Sequence, residues 1–267
     1  MSDPTDGPRD FHGQAYGVAA ALRYSIFESR PDGFARRLAP KIRRFYEQTE
    51  TGASNRDVLD LACGSGQLAA HFLEHGYRVV SLDRSLHMLR HAREACASYV
   101  DDGRALFLEG DASDFQVDRR FGLVTCTFNG LNHLASLADV TRCLKCVNEA
   151  LAPGGCFVFD IDTPRGLRET VDTMLIHDTD EEIIVRKRLF DGERVILYAS
   201  GCFAHNGAWH RYRETIRKIV IDPEELRRAM SDLGWSSVEY FDEDLTQPVA
   251  DPNDGKVAYG VARKGAG

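Results

Sequence analysis

The chain has 267 residues, a hydrophobic content of 43% and a formal net charge of −8, enough for one large domain or a domain with an embellishment. The acidic balance argues against a protein that grips a nucleic-acid backbone over a broad surface. No apolar run approaches membrane-spanning length, and the polar start Met1-Ser2-Asp3-Pro4 does not read as a signal peptide.

Residues 1–13, rich in Asp, Pro and Gly, read as a disordered tail. Residues 14–50 turn helical, with a break at Arg30-Pro31-Asp32-Gly33, and form an N-terminal arm. Tyr16 and Tyr24 would share one face of an uninterrupted helix. Residues 51–165 then alternate strand and helix. Strands are expected at 57–62, 78–83, 105–108, 123–128 and 156–161, with helices at 67–75, 85–100 and 136–151 between them. Such alternation implies a parallel sheet flanked by helices, with ligands bound beyond the strand C-termini.

The organising stretch is Val58-Leu59-Asp60-Leu61-Ala62-Cys63-Gly64-Ser65-Gly66-Gln67-Leu68: a buried strand, an acid, a small-residue corner and a helix start. Ala62, Gly64 and Gly66 leave room for a ligand against bare backbone, and the following helix aims its partly positive end at it. Asp83 closes the second strand, where a carboxylate can take both ribose hydroxyls. The pattern Gly64-Ser65-Gly66-Gln67-Leu68-Ala69 also satisfies the dinucleotide fingerprint. Asp60 opposes that reading, since a carboxylate before the glycines repels pyrophosphate and suits an ammonium group. S-adenosylmethionine carries an ammonium and no phosphate.

The run Asp60-Leu61-Ala62-Cys63-Gly64-Ser65-Gly66 resembles motif I of the class I S-adenosylmethionine-dependent methyltransferases, with Ala62 at the usual first glycine. The resemblance covers roughly residues 14–264, most strongly 57–162. It implies that Asp60 and the motif I amides hold the methionine end, Asp83 the ribose, and Asp111-Ala112 the adenine, with Met88 packing on adenine or ribose and Arg84 grouped with the cofactor contacts. The segment Phe128-Asn129-Gly130-Leu131-Asn132-His133-Leu134 resembles the loop that faces the transferred methyl in natural-product N-methyltransferases, including aminosugar N,N-dimethyltransferases. Phe128 and Asn129 are grouped with the cofactor contacts. His133, with an ordinary pKa near ~6.5, is the candidate base. The resemblance further implies that the arm, with Tyr16 and Tyr24, covers the cofactor, and that the protein forms a homodimer.

Residues 166–222 read as a three-stranded antiparallel insertion after strand five, at 182–190, 194–205 and 208–221. Asp191-Gly192 and Asn206-Gly207 supply the turns. It is a substrate cap or a dimer interface. Arg211, Arg213 and Arg217 share a face by period two and, with Lys218, are candidates for an anionic group on the substrate. Residues 223–267 complete the core: Asp222-Pro223-Glu224-Glu225 caps a helix, and strands at 235–241 and 256–262 close the sheet. Seven cysteines without a disulfide rhythm fit a reducing cytoplasm. Cys143 and Cys146 form the one C-x-x-C, on a helix without a second pair, so no metal is assigned.

The expected fold is therefore α/β: a Rossmann-like, doubly wound, mostly parallel seven-stranded sheet with a three-stranded antiparallel insertion. The expected function is methyl transfer from S-adenosylmethionine, leaving S-adenosylhomocysteine, to a small-molecule acceptor, by N-methylation of an amine in secondary metabolism. Nucleic-acid and membrane partners are not expected. The alternatives are an O-methyltransferase of the same fold, an NAD-dependent oxidoreductase and a non-catalytic nucleoside-binding protein.

Overall fold

A computed structural model describes residues 15–266. The tail read over residues 1–13, and Gln14 at the start of the arm, lie outside the described residues. The arm consists of α1 (Val18–Glu28) and α2 (Phe34–Glu47), followed by the short α3 (Glu50–Ser54). The core then runs β1 (Asp57–Leu61), α4 (Gln67–Glu74), β2 (Arg78–Asp83), α5 (Leu86–Ala95), α6 (Ala97–Asp101), β3 (Ala105–Glu109) and β4 (Phe121–Cys126). A 3-10 turn (Gly130–His133), α7 (Leu137–Ala150), β5 (Leu151–Asp162) and α8 (Pro164–Arg168) come next. Four strands follow: β6 (Met174–Asp178), β7 (Glu182–Phe190), β8 (Arg194–His205) and β9 (Ala208–Ile219). The chain closes with α9 (Pro223–Asp232), β10 (Ser237–Phe241) and β11 (Val257–Arg263). No helix among the described residues is long and apolar enough to cross a membrane.

The core strands form a seven-stranded sheet in the order β10-β11-β5-β4-β1-β2-β3, parallel except where β11 runs against β5 and β10. Helices cover both faces, so β1 and β4 are buried almost end to end rather than alternating. One apolar core lies under α7 and α9, around Leu59, Phe157 and Trp235. The other lies under α2, α4 and α5, around Ile42, Phe72 and Leu89. The helices begin where side chains can take their free N–H groups. Ser85 accepts from Met88 N–H, Ser136 from Asp139 N–H, and Asp222 from Glu224 and Glu225 N–H.

Several expectations need correction. The antiparallel sheet has four strands, in the order β6-β7-β8-β9, not three: Met174–Asp178 pairs with β7 as an exposed edge. The third strand of the insertion ends at Ile219, two residues early. The helix expected to start at Ser85 breaks at Cys96 into α5 and α6. Strand five, expected from residue 156, begins at Leu151, and Ala152-Pro153-Gly154-Gly155 form a bulge inside it. Leu151 pairs with Phe121 and Cys156 with Leu123, so the residues between loop out, with Gly154 at φ 71°. The turns behave as their residues require: Asn206 and Gly207 both take positive φ, the twist a two-residue hairpin needs.

One side chain ties the two sheets together. Asn132, fully buried, donates to the carbonyls of Asp162 (3.2 Å) and Ile219 (3.0 Å) and accepts from Asp162 N–H (2.9 Å). It thereby joins the 3-10 turn, the end of β5 and the end of β9. Asn132→Ala should orphan these backbone groups and destabilise the protein by about 2–4 kcal/mol. Calorimetry should read this as a melting temperature lower by roughly 5–10 °C; an unchanged melting point would show that the junction holds without Asn132.

Candidate active site

A cavity of about 370 Å³ lies at the C-terminal ends of β1, β2 and β4, under the arm, within the size range of small-ligand sites. Its floor is the turn after β1. Ala62 and Gly64 both take positive φ there, 53° and 55°. For Ala62 that conformation costs about 1–2 kcal/mol, which accounts for the glycine usual at this position of motif I. A Cβ added to Gly130 would meet the Ala62 methyl at 3.2 Å and Cys126 Sγ at 2.6 Å. Ala62 is therefore accommodated by a glycine across the crevice. Gly66 does not line the cavity: it caps α4 at φ 82°, and a Cβ there would lie 2.9 Å from that of Ala92. Its smallness serves the packing of α4 on α5.

Asp83 stands in the wall. Its Oδ2 accepts from Gly64 N–H (2.9 Å) and its Oδ1 from Ser85 N–H (2.8 Å). Burial raises its pKa, opposed by these backbone N–H groups. Beside it Leu82, Met88, Ala112 and Leu134 form an apolar slot, and Arg84 also lines the cavity. Asp111 lies outside that lining: its Oδ1 accepts from Ser113 N–H and Oγ, both at 2.8 Å, and Arg84 Nε stands 3.8 Å from its Oδ2.

Asp60 is the main departure. Its side chain is buried behind the turn and does not line the cavity. Its Oδ1 accepts from Thr125 Oγ1 (2.8 Å), and its Oδ2 has no partner among the described residues. Burial pushes its pKa up to about 7, against the Thr125 hydrogen bond. Asp60 thus lies behind the lining of the cavity, with Oδ2 as its one unpartnered oxygen.

The arm forms the roof. Tyr16 precedes α1 rather than sharing a helical face with Tyr24, yet the two rings meet edge-on at 6.1 Å. Tyr24 lies over Gly64, whose added Cβ would be 3.3 Å from its ring. Tyr16 stands at φ 56°; its carbonyl accepts from Ser85 Oγ (3.1 Å) and its N–H donates to Glu214 on β9. Arg23 of α1 pairs with buried Glu182 of β7 at 2.9 Å.

The loop after β4 forms the last wall. Phe128 and Asn129 are consecutive residues at φ 59° and 52°. Asp160 on β5 holds them there: its Oδ1 accepts from Phe128 N–H and its Oδ2 from Asn129 N–H, both at 2.7 Å. Phe128 lines the cavity, whereas Asn129 does not; the Asn129 amide oxygen accepts from Lys218 Nζ (2.8 Å), which also binds Asp162 Oδ2 (2.7 Å). His133 lines the cavity, with its ring 6.0 Å from Tyr16 and its Nε2 3.3 Å from Asn129 Oδ1. Because that oxygen is an acceptor, Nε2 carries the ring proton and Nδ1 the lone pair. Burial, and then the Lys218 ammonium, push the His133 pKa down to about 3. The sequence-based expectation is a base with an ordinary pKa near ~6.5, and burial here acts against its protonation.

The structure thus gathers Tyr16, Tyr24, Ala62, Gly64, Asp83, Arg84, Met88, Ala112, Phe128 and His133 around one cavity and leaves Asp60, Gly66, Asp111 and Asn129 out of its lining. Sequence reasoning missed Ser85 and Asp160, and it grouped Lys218 with the outer arginines rather than with Asn129 and Asp162. Asp160 had a signal, an acid inside the apolar run Phe157-Val158-Phe159-Asp160-Ile161. Arg211, Arg213 and Arg217 sit on the exposed face of β9, away from the cavity, while Lys218 points to the other face.

The chain is similar in sequence and in fold to known methyltransferases. The profile of a methyltransferase domain family matches residues 58–155. The putative methyltransferase YqeM of Bacillus subtilis (strain 168) is 29% identical over 182 residues, covering 67% of this chain and 72% of the relative. The dTDP-3-amino-3,6-dideoxy-alpha-D-glucopyranose N,N-dimethyltransferase of Streptomyces fradiae is 29% identical over 60% of this chain and 58% of its own length. The ubiquinone/menaquinone biosynthesis C-methyltransferase UbiE of Pectobacterium carotovorum subsp. carotovorum (strain PC1) is 28% identical over 74% of each. In fold, the chain superposes on an S-adenosylmethionine-dependent methyltransferase from Clostridium acetobutylicum ATCC 824 with a TM-score of 0.78 at 20% identity, over 91% of this chain and 98% of that one.

A neutral folded His133 has a consequence for stability. The unfolded histidine binds a proton near pH ~6.5 and the folded one only near about 3. The stability it contributes is complete above pH ~6.5 and is lost as pH falls towards about 3. Urea midpoints of the wild type should therefore fall more steeply than those of His133→Asn between pH 6.5 and 4; parallel profiles would mean that the ring is solvated.

Proposed function

We propose that the chain is a class I S-adenosylmethionine-dependent methyltransferase and that it methylates the nitrogen of a small amine. Bound S-adenosylmethionine supplies a methyl group already activated on a sulfonium. Asp83 is suited to take the ribose hydroxyls, with its second lone pairs free beyond the Gly64 and Ser85 N–H bonds. The backbone at Ala62 and Gly64 suits the methionine end, and the slot of Leu82, Met88, Ala112 and Leu134 suits a flat adenine. Tyr16 and Tyr24 exclude water from above.

The observation that carries N-methylation is His133 in the post-β4 loop, neutral and held by Asn129 beside the tyrosine roof. A ring with a pKa of about 3 is a weak base. Its role in this reading is to accept a hydrogen bond at Nδ1 and orient the acceptor, and alignment supplies about 7–11 kcal/mol of the barrier reduction. The dimethyltransferase relative supports an amine, and the C-methyltransferase relative makes a carbon acceptor the rival.

The test is a screen of amine, hydroxyl and carbon acceptors with radiolabelled methyl donor, repeated with His133→Ala. Label should enter amines, and the variant should lose less than ~10²-fold in turnover, with no ionisation near pH 6.5 missing from its profile. Label confined to carbon or oxygen acceptors would sink the nitrogen assignment. A loss of 10³-fold or more together with a missing limb would restore His133 as the base.

The free state of all seven cysteines suits a reducing compartment, and we place the protein in the cytoplasm. We assign a homodimer to β6, an edge strand with Met174, Leu175 and Ile176 all exposed, since such edges are usually paired or covered. Ile176→Lys should shift the protein from dimer to monomer in sedimentation; a wild-type monomer at all concentrations would remove the assignment.

A further inference from the structure

The antiparallel sheet has two unlike faces, and its register sorts every residue onto one of them. Arg186 is opposite Ala199, which is opposite Glu214; Arg188 is opposite Leu197, which is opposite Ile216; Val195 is opposite Lys218. The same face carries Ala199, Phe203 and Tyr212, which pack against Ala20 of α1. It is therefore the inner face, turned towards the arm and the cavity. Arg211 and Arg217 are on the outer one.

Arg186 and Arg188 are two residues apart on β7, with Cα atoms about 7 Å apart and side chains on one side. Both are half-buried. Among the described residues neither guanidinium makes an ion pair or a side-chain hydrogen bond. Burial, and then Arg186 itself, lower the Arg188 pKa, with Asp162 acting the other way. Of the acids that act on the pair, Asp162 is bound to Lys218 at 2.7 Å, whereas Glu214 accepts from Tyr16 N–H and keeps an Oε2 with no hydrogen-bond partner among the described residues. Two like charges partly withdrawn from water, with donors unused, are unfavourable unless an anion completes them.

The position is as telling as the charge. Glu214 touches Tyr16, and Lys218 touches Asn129, whose amide oxygen faces His133. The two arginines thus share a face with the groups that support the acceptor side of the cavity. We propose that Arg186 and Arg188 bind a phosphate or diphosphate group of the acceptor, which enters between the arm and the inner face of the antiparallel sheet. The proposal rests on the methyltransferase reading of the cavity and names the substrate class: a phosphate-bearing amine. The outer arginines, which sequence periodicity singled out for this task, have no part in it.

The experiment is titration calorimetry with inorganic pyrophosphate on the full chain saturated with S-adenosylhomocysteine. Pyrophosphate should bind the wild type. Affinity should fall at least ~10-fold in Arg186→Gln and in Arg188→Gln, and less in Arg188→Lys, which keeps the charge and loses the fork. Arg211→Gln and Arg217→Gln should bind as the wild type does. Equal losses in the outer-face variants, or no difference between the wild type and the Arg186→Gln/Arg188→Gln double variant, would overturn the proposal. The affinity for S-adenosylhomocysteine, measured first in each sample, should be the same throughout. Its absence in the wild type would instead undo the reading of the cavity on which this one stands.

Discussion

The arrangement depends on one topological constraint. β1 lies in the interior of the sheet, with β2 on one side and β4 on the other. The chain leaves β1 for β2 and β3, then crosses back to β4. The turns after β1 and β4 therefore lead away from each other, and the crevice between them stays open at the strand C-termini. Asp83 closes one side of that crevice by taking Gly64 N–H, and Gly130 gives the Ala62 methyl room on the other. The arm needs only to roof a trough that the strand order has already made.

Backbone strain is concentrated around this trough. Ala62, Phe128 and Asn129 all hold positive φ without being glycine, at about 1–2 kcal/mol each. Such conformations persist where the surroundings over-determine them. Asp160 does so for the loop after β4 by taking two successive N–H groups on its two oxygens. That carboxylate is itself unfavourably placed, since burial raises its pKa to about 7. An acid in the core thus sets the direction of the wall that carries His133, without facing the cavity.

What could be read from the sequence was local. The strand-acid-glycine corner, the carboxylate ending β2, the Asp222-Pro223 helix start and the Asn206-Gly207 turn each depend on neighbouring residues, and each is found where its chemistry predicts. What could not be read was set by distant partners. Strand β6 has no alternation, because as an edge it is exposed throughout. His133 is identifiable as a loop histidine, but its neutrality comes from burial and from Lys218, far downstream. Asp60 has the right type and position for a ligand contact, yet its side chain points to Thr125. Period two puts Arg211, Arg213 and Arg217 on one face; only the packing of α1 decides that this face is the outer one.

The peptide of Tyr16 joins three parts of the molecule. Its carbonyl is held by Ser85 at the start of α5, its N–H by Glu214 on the antiparallel sheet, and its ring closes the cavity. The Arg23–Glu182 pair fastens the next turns of the same arm to β7. The arm is therefore attached both to the Rossmann-like core and to the antiparallel sheet. Releasing it from the cavity breaks contacts to both, so the free energy of the closed arm is drawn from the two sheets together.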